Sequence, residues 1–273
     1  MVQVNKKEEV GCKFHRILMM YIPLMYSLET RFLKRSKLGV VVWATEYMLP
    51  MLLVYYFSVY DNLWAYITII IAVYNFYELG YIYNDCETIK KEKNPTLRLS
   101  MVELEYYEKH KIYIYLLRFV IGIVFTFYCF CILSLSFSSI FMLWSIIPLY
   151  YIYNVFRGRI NLYLIFVLTA YRYLCPITML FDEDMISWSL MMLISYPVIK
   201  TIEICAGGKG QESEKWTRIF LKSFDQRFKF RIHYYLVLTL ISFYLFSGSF
   251  WILPLYYLII RSMQFFMPKL GPR

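Results

Sequence analysis

The stretch YNDCETIKKEKNPTLR, Tyr83 to Arg98, closes a long apolar run and turns abruptly into mixed charge. Asn84 and Asp85 come first, Glu87 and Glu92 follow, and Lys90, Lys91, Lys93 and Arg98 are set among them. The residues before it, Leu63–Tyr83, are apolar over the roughly 20 positions that a helix needs to cross about 30 Å of hydrocarbon. A break of this kind marks where a chain leaves a membrane. The fold therefore turns on whether the rest of the sequence repeats the pattern.

It does. The 273 residues are 60% hydrophobic, 21% aromatic and only 18% charged, and the mean hydropathy is positive. Soluble domains carry about a quarter charged residues and less than half apolar ones. Spans are expected at Leu38–Ser58, Leu63–Tyr83, Lys111–Leu133, Phe137–Tyr153, Ile160–Leu180, Ile186–Cys205, Ile232–Phe246 and Phe250–Phe266. The expected class is an all-α integral membrane protein, a bundle of about eight transmembrane helices. Residues 1–37 are expected to be a cytoplasmic segment in which Phe14–Leu28, short, apolar and flanked by cations, lies as an interfacial helix. Residues 38–273 are expected to be one transmembrane domain. Met1–Arg16 is polar and charged, so no cleavable signal peptide is expected. The six cysteines are scattered without zinc-ligand spacing, which points to packing roles.

The net charge of +10 gains meaning from where it sits. Cations crowd the segment before Lys37, the connection Asn84–Lys111, the pair Arg157 and Arg159, the segment Lys209–Arg231 and the C-terminal tail. The alternate connections Val59–Asn62, Ser134–Ser136, Phe181–Met185 and Ser247–Ser249 hold no Lys or Arg. Positive loops stay cytoplasmic. Eight spans with both termini cytoplasmic satisfy every connection, and a bacterial inner membrane is the expected location. Trp216–Phe230 mixes aromatics with cations, but its place between spans suits membrane headgroups and excludes nucleic acid as the partner.

Charges inside spans are costly, at least about 2.5–3.5 kcal/mol each. Arg118, Arg172, Lys200, Arg261, Glu46, Glu78 and Glu203 are therefore expected to face a shared polar interior. Glu78 and Lys200 lie close enough to a span end to reach the interface instead. Arg172 does not, and is expected in a functional cavity.

Asp85, Thr88 and Glu92 follow one another in steps of three and four, which places them on one helical face. Asn84 can add a carbonyl oxygen. Oxygen ligands of this kind suit Mg²⁺, which keeps several waters and binds substrate phosphates through one or two carboxylates. The neighbouring cations suit the remaining phosphate charge. The competing reading of the same spacing is a solvated loop of mixed charge.

Asn84-Asp85-x-x-Thr88-x-x-x-Glu92, followed by Asn94-Pro95-Thr96-x-Arg98, resembles the first motif of the UbiA superfamily of intramembrane prenyltransferases. That motif reads NDxxDxxxD and follows the second helix on the cytoplasmic side. Here Thr88 stands where the family has Asp, and Glu87, one position early, is a candidate to compensate. Tyr153-Asn-Val-Phe-Arg157 is similar to the family's Tyr-x-x-x-Lys. The resemblance implies a helical bundle around a central cavity that opens to lipid, with Mg²⁺ held by Asp85, Glu92 and Asn84. The second acidic motif of prenyl-transferring members, DxxGDxxxG, is missing. The chain reads Lys200-Thr-Ile-Glu203 there, which resembles the branch of polyprenyl-phosphate phosphoribosyltransferases. An arginine of that branch is similar to Arg172.

The resemblance implies a Mg²⁺-dependent transferase. Asp85, Glu92 and Lys200 are its candidate catalytic residues, and Asn84, Thr88, Arg98, Tyr153, Arg157, Arg172 and Glu203 its candidate substrate-binding residues. The donor is then a diphosphate and the acceptor a lipid from the bilayer. Transfer of a phosphoribosyl group to a polyprenyl phosphate is the first expectation. The second is transfer of an isoprenyl group to an aromatic or other lipophilic acceptor, and the third a non-catalytic binding or transport protein.

Overall fold

A computed structural model of the protein describes residues 16–33, 38–58, 63–91, 95–156, 160–181, 184–207, 224–246 and 248–266. Among these residues every regular element is helical and no strand occurs. In chain order they are α1 (25–33), α2 (Gly39–Tyr56), α3 (Leu63–Cys86), α4 (Met101–Cys131), α5 (Phe137–Val155), α6 (Ile160–Leu180), α7 (Met185–Cys205), α8 (Phe224–Leu245) and α9 (Ile252–Phe266). Helices α2 to α7 are long and apolar enough to cross a membrane. The chain is therefore read as a membrane protein, with six such helices among the described residues. The last two expected spans form helices but fall short of that measure. At about 1.5 Å per residue, α9 reaches only about 22 Å, and the first half of α8 carries Arg227, Lys229, Arg231 and His233.

The described residues form two compact units, Met1–Ala44 with Asn62–Val155 and Thr45–Asp61 with Phe156–Arg273. In the first, α3 is the central element. It is apolar on nearly every face, and such helices are buried; Ile69, Ile70, Val73, Phe76, Tyr77 and Ile82 are all in the core. Both α4 and α5 pack on it. Gly80 permits the second contact, because the Tyr150 ring occupies the space where a Cβ would stand. Asn154 Nδ2 also donates to the Gly80 carbonyl at 3.3 Å.

Two helix ends differ from the sequence expectation, for local reasons. α3 continues past Tyr83 to Cys86 and tightens into a 3₁₀ turn, Thr88–Lys91. Asn84 and Asp85 thus sit in its last helical turn. α4 starts ten residues before Lys111, at Met101. There Ser100 and Glu103 form a reciprocal capping box, with Ser100 N–H donating to Glu103 at 2.6 Å. Ion pairs Lys109–Glu105 at 2.9 Å and Lys111–Glu108 at 3.4 Å support the added turns.

The expected helix over Phe14–Leu28 is interrupted. Turns run from Met19 to Leu24, and Leu24 has a left-handed φ of 73°. Met19, Met20 and Tyr26 are fully buried against Ile82, Cys86, Tyr107 and Ile114. The described part of this segment belongs to the core of the first unit.

In the second unit, α2 and α7 each contain a π-helical turn, Ala44–Met48 and Ile194–Val198. Prolines account for both positions, since a proline ring has no N–H and clashes with the preceding turn. Pro50 removes the donor that would bond the Glu46 carbonyl, and Tyr173 and Tyr257 hydroxyls donate to it instead, at 2.9 and 3.0 Å. Pro197 lies within the α7 turn, whose Ile194 and Ser195 carbonyls accept from Tyr234 and Tyr235, both at 2.7 Å. At one end of this unit Trp188 packs against Phe57, Phe181 and Phe250, at 5.4, 5.6 and 5.0 Å between ring centroids.

Candidate functional site

The end of α3 gathers the most concentrated polar chemistry of the first unit around Asp85, which is 1% exposed. Arg31 Nη2 bridges both carboxylate oxygens, at 3.0 Å to Oδ1 and 2.9 Å to Oδ2. Arg98 Nη1 donates to Oδ1 at 3.0 Å. Asn84 Nδ2 donates to the same oxygen at 3.1 Å, and the Tyr26 hydroxyl donates to Oδ2 at 3.0 Å. Burial, reinforced by the Asp85 charge, pushes the Tyr26 phenol well above its usual range, so it stays a donor. Arg31 lies over the Tyr81 ring, 4.5 Å from its centroid. It reaches this place from a π-helical turn, Leu28–Leu33.

The site thus brings together Asn84, Asp85 and Arg98 of the expected set. Thr88 is 5% exposed and its hydroxyl has no hydrogen-bond partner. Glu87 does not replace it. The Glu87 carboxylate accepts from Lys90 at 2.7 Å and from Tyr107 at 3.0 Å, toward α4. Tyr153 packs on Tyr150, with 6.2 Å between ring centroids. Glu92 and Arg157 lie outside the described residues.

The donor set around Asp85, as it stands, does not fit a divalent cation. A Mg²⁺ site needs several free oxygen ligands in near-octahedral order. Asp85 accepts from two guanidinium groups, a phenol and an amide, and Asn84 turns its nitrogen, not its oxygen, toward the carboxylate. No group of three or more His, Cys, Asp or Glu that could hold a metal occurs among the described residues. What the arrangement provides is a buried carboxylate held by two guanidinium groups.

Several of the other intramembrane charges are held in close pairs within their own unit. Glu78 does not reach the interface. It is fully buried, pairs with fully buried Arg118 at 2.8 Å and accepts from the backbone N–H groups of Leu24 and Ser27 at 2.9 and 2.7 Å. Arg118 also donates to the carbonyls of Met20, Met19 and Ile22, at 2.9, 3.0 and 3.0 Å. This pair fastens the turns at 19–24 to α3 and α4.

In the second unit the centre is Glu46, carried on the π-helical turn of α2. Its carboxylate accepts from Arg261 at 2.8 Å and from Tyr196 at 2.6 Å, with Lys200 at 3.9 Å. Tyr173, Tyr196 and Tyr257 lie beside it, their rings tilted against one another with centroids 4.8 and 5.8 Å apart. Lys200 and Glu203 have separate partners, since Glu203 pairs with Arg231. Arg172 is half-buried on α6 beside Tyr173, and its carbonyl accepts from Tyr47 at 3.2 Å.

Arg31, Tyr26, Tyr196 and the pairing of Glu46 with Arg261 were not foreseen. Arg31 reads in sequence as one more cytoplasmic cation. The signals available were the two lone intramembrane charges, Glu46 and Arg261, of opposite sign. No family model, curated protein or solved structure matches the chain.

Proposed function

We propose that the chain is a membrane-embedded transferase that docks a diphosphate donor at the end of α3. The observation that carries this reading is the convergence of Arg31 and Arg98 on buried Asp85, within a sequence that resembles the first UbiA motif. Guanidinium groups bind phosphate oxygens through paired, charge-assisted hydrogen bonds. Thr88, with an unpartnered hydroxyl, is a further donor for such an oxygen. In the expected reaction the bond from the donor carbon to the diphosphate oxygen breaks. An oxygen of the lipid acceptor forms the new bond, and the diphosphate leaves with both bonding electrons. Arg31 and Arg98 hold its developing charge.

The resemblance assigns Mg²⁺ to Asp85, Asn84 and Glu92, but Asp85 is committed to Asn84, Arg31, Arg98 and Tyr26, so no step of the transfer runs through the metal. The resemblance assigns Lys200, Arg172 and Arg157 to further phosphate charge, Lys200 also to catalysis, and Tyr153 and Glu203 to substrate binding. Glu203 is committed to Arg231, which favours the phosphoribosyl branch over a prenyltransferase with a second acidic metal site. A polyprenyl phosphate is then the acceptor. Eight spans around a lipid-facing cavity, with both termini cytoplasmic, complete the reading.

The test is thermal stabilisation of the purified protein by phosphoribosyl diphosphate, geranyl diphosphate and farnesyl diphosphate, with and without Mg²⁺. Stabilisation by phosphoribosyl diphosphate, weakened in Arg31→Gln and in Arg98→Gln, is the expected result, and the Mg²⁺ arm shows whether the metal of the resemblance adds to it. Stabilisation by the isoprenyl diphosphates instead would transfer the reading to a prenyltransferase. A flat response to all three in Mg²⁺ would remove the donor dock.

A further inference from the structure

We propose that a cleft between α4 and α5, floored by α3, holds one hydrocarbon chain of a membrane phospholipid, and that the charges above it select a zwitterionic headgroup with a primary ammonium, the phosphoethanolamine class. The site is separate from the donor dock and stands without the transferase reading. Asp85 lies two residues past Tyr83, on the far side of a 3.6-residue turn from the cleft floor.

The cleft follows from how three helices of the first unit pack. Both α4 and α5 lie against α3. They are joined to each other at Trp144, whose Nε1 donates to Thr126 at 2.9 Å and whose ring packs on Phe119 at 5.1 Å. Beyond that contact, toward the polar end of α3, a space of about 240 Å³ opens between them. Gly80 and Tyr83 form its floor, Tyr115 and Phe119 one wall, Ile147 and Tyr151 the other. Tyr150 fixes the shape. Its ring takes the place of a Gly80 side chain and packs edge-on against Tyr77 and Tyr81, at 5.2 and 5.6 Å.

The occupant is argued from place and charge. An apolar space of this kind takes an apolar molecule rather than water. All three helices are long and apolar enough to cross a membrane, and Phe119 and Tyr151 are exposed on the outside of the unit, where a lipid chain is the molecule at hand. From Ile147 to Asn154 the cleft runs about 10 Å, at about 1.5 Å per residue. It therefore grips only the part of a chain nearest its headgroup.

The headgroup end is defined by four side chains. Glu87 stands one turn beyond Tyr83, and its N–H donates to the Tyr83 carbonyl at 2.8 Å. Lys111 and Glu108 precede Tyr115 by four and seven residues, which stacks them over the α4 wall. A shallow furrow runs on from Phe119 and Tyr115 to Lys111. Lys90 pairs with Glu87 at 2.7 Å and with Glu108, and Lys111 lies 3.4 Å from Glu108 and 3.8 Å from Glu87. These two cations and two carboxylates alternate and carry no net charge. Lys90, Glu108 and Lys111 are close to half-exposed, so their pairs exchange with a ligand at little cost. An anionic headgroup would meet both carboxylates. A choline headgroup has no N–H for a carboxylate to accept. A phosphoethanolamine head offers its phosphate to Lys111 and its N–H donors to Glu108.

Native mass spectrometry of the purified full chain decides, after detergent exchange into phosphatidylethanolamine, phosphatidylcholine or phosphatidylglycerol with identical chains. Phosphatidylethanolamine is expected to be retained about fivefold more than either of the others, the scale of one exposed charge contact. Glu108→Gln leaves the rim net positive and is expected to pass the preference to phosphatidylglycerol. Ile147→Trp fills the cleft and is expected to lower retention of all three. Equal retention of the three lipids by the wild type would overturn the proposal, as would an unchanged preference in Glu108→Gln or wild-type retention in Ile147→Trp. A wild-type dimer that keeps no lipid and comes apart in Ile147→Trp would assign the cleft to a second copy of the chain and overturn it as well. If Ile147→Trp fails to fold, the surface change Glu108→Gln still decides.

Discussion

At the residue scale, the chain handles membrane-embedded charge by close pairing. Glu78 and Arg118 are each fully buried, and their other hydrogen bonds go to backbone groups of the segment 19–27 and, from Arg118, to Asn75 Oδ1 at 3.4 Å. Breaking such a pair leaves one charge uncompensated, at a cost of about 3–5 kcal/mol. Arg118→Ala is therefore expected to be among the most damaging single changes outside the candidate site, read as a lower midpoint of thermal unfolding in detergent. The same loss would free the turns at 19–24, so faster proteolysis near Met19–Leu24 is the accompanying outcome. A variant that keeps wild-type stability and wild-type cleavage would show that the pair does not anchor this segment. Sequence made these charges visible one by one, since a lone ion in an apolar run is conspicuous. It did not reveal their partners, because Glu78 and Arg118 are far apart in the chain and most of their other partners are backbone atoms. Asp85 was legible for the opposite reason: its neighbours in sequence, Asn84 and Arg98, are also its neighbours in space. Arg31 was not, since nothing in ETRF distinguishes a site arginine from a loop cation.

At the element scale, the departures from regular helix are as informative as the helices. Three π-helical turns occur among the described residues, and they carry Arg31, Glu46 and Tyr196. Such turns are recurrent at functional positions because they redirect side chains and release backbone groups. In α2 and α7 carbonyls of these turns accept tyrosine hydroxyls from other helices of the same unit, which helps to explain why a chain with 28 tyrosines buries so many of them. Tyr235 is fully buried and donates to the Ser195 carbonyl at 2.7 Å. Tyr235→Phe keeps the ring and deletes the donor, and is expected to destabilise by about 1–3 kcal/mol, the cost of an unsatisfied buried acceptor. Tyr244→Phe, on an exposed ring of the same helix, is the matched control and is expected to be neutral. Equal stability of the two variants would mean that the Ser195 carbonyl finds another donor. Periodicity and length located every long helix, but they carry no information on which carbonyl a distant hydroxyl will reach. The early start of α4 was nonetheless readable, since Ser100 and Glu103 stand in capping-box register; the charge of the following turns outweighed it.

At the scale of the whole molecule, the expectation of eight spans makes a prediction for α8 and α9. Their length and composition fall short of the measure that α2 to α7 meet. Both counts of spans, six and eight, leave the two termini on the same side, so locating the termini does not separate them. The turn between α8 and α9 does. With eight spans it lies on the outer face, and with six it stays cytoplasmic beside the basic segment Lys209–Arg231. Two independent features favour the outer face. Ser247–Ser249 holds no cation, like every other connection assigned to that side. Phe250, which follows the turn, packs on Trp188 beside Phe57 and Phe181. Those three residues stand next to the cation-free connections after α2 and α6, and aromatic clusters of this kind gather at membrane interfaces. If α9 crosses, its polar face, with Arg261 bound to Glu46, is supported by protein rather than lipid. A single cysteine at Ser249, in a cysteine-free background, is expected to react with an impermeant thiol reagent added outside intact cells, and so is a cysteine at Ser136. A cysteine at Thr96 is expected to react only after permeabilisation. Protection of Ser249→Cys in intact cells together with labelling after permeabilisation would return α8 and α9 to the cytoplasmic surface and reduce the bundle to six spans.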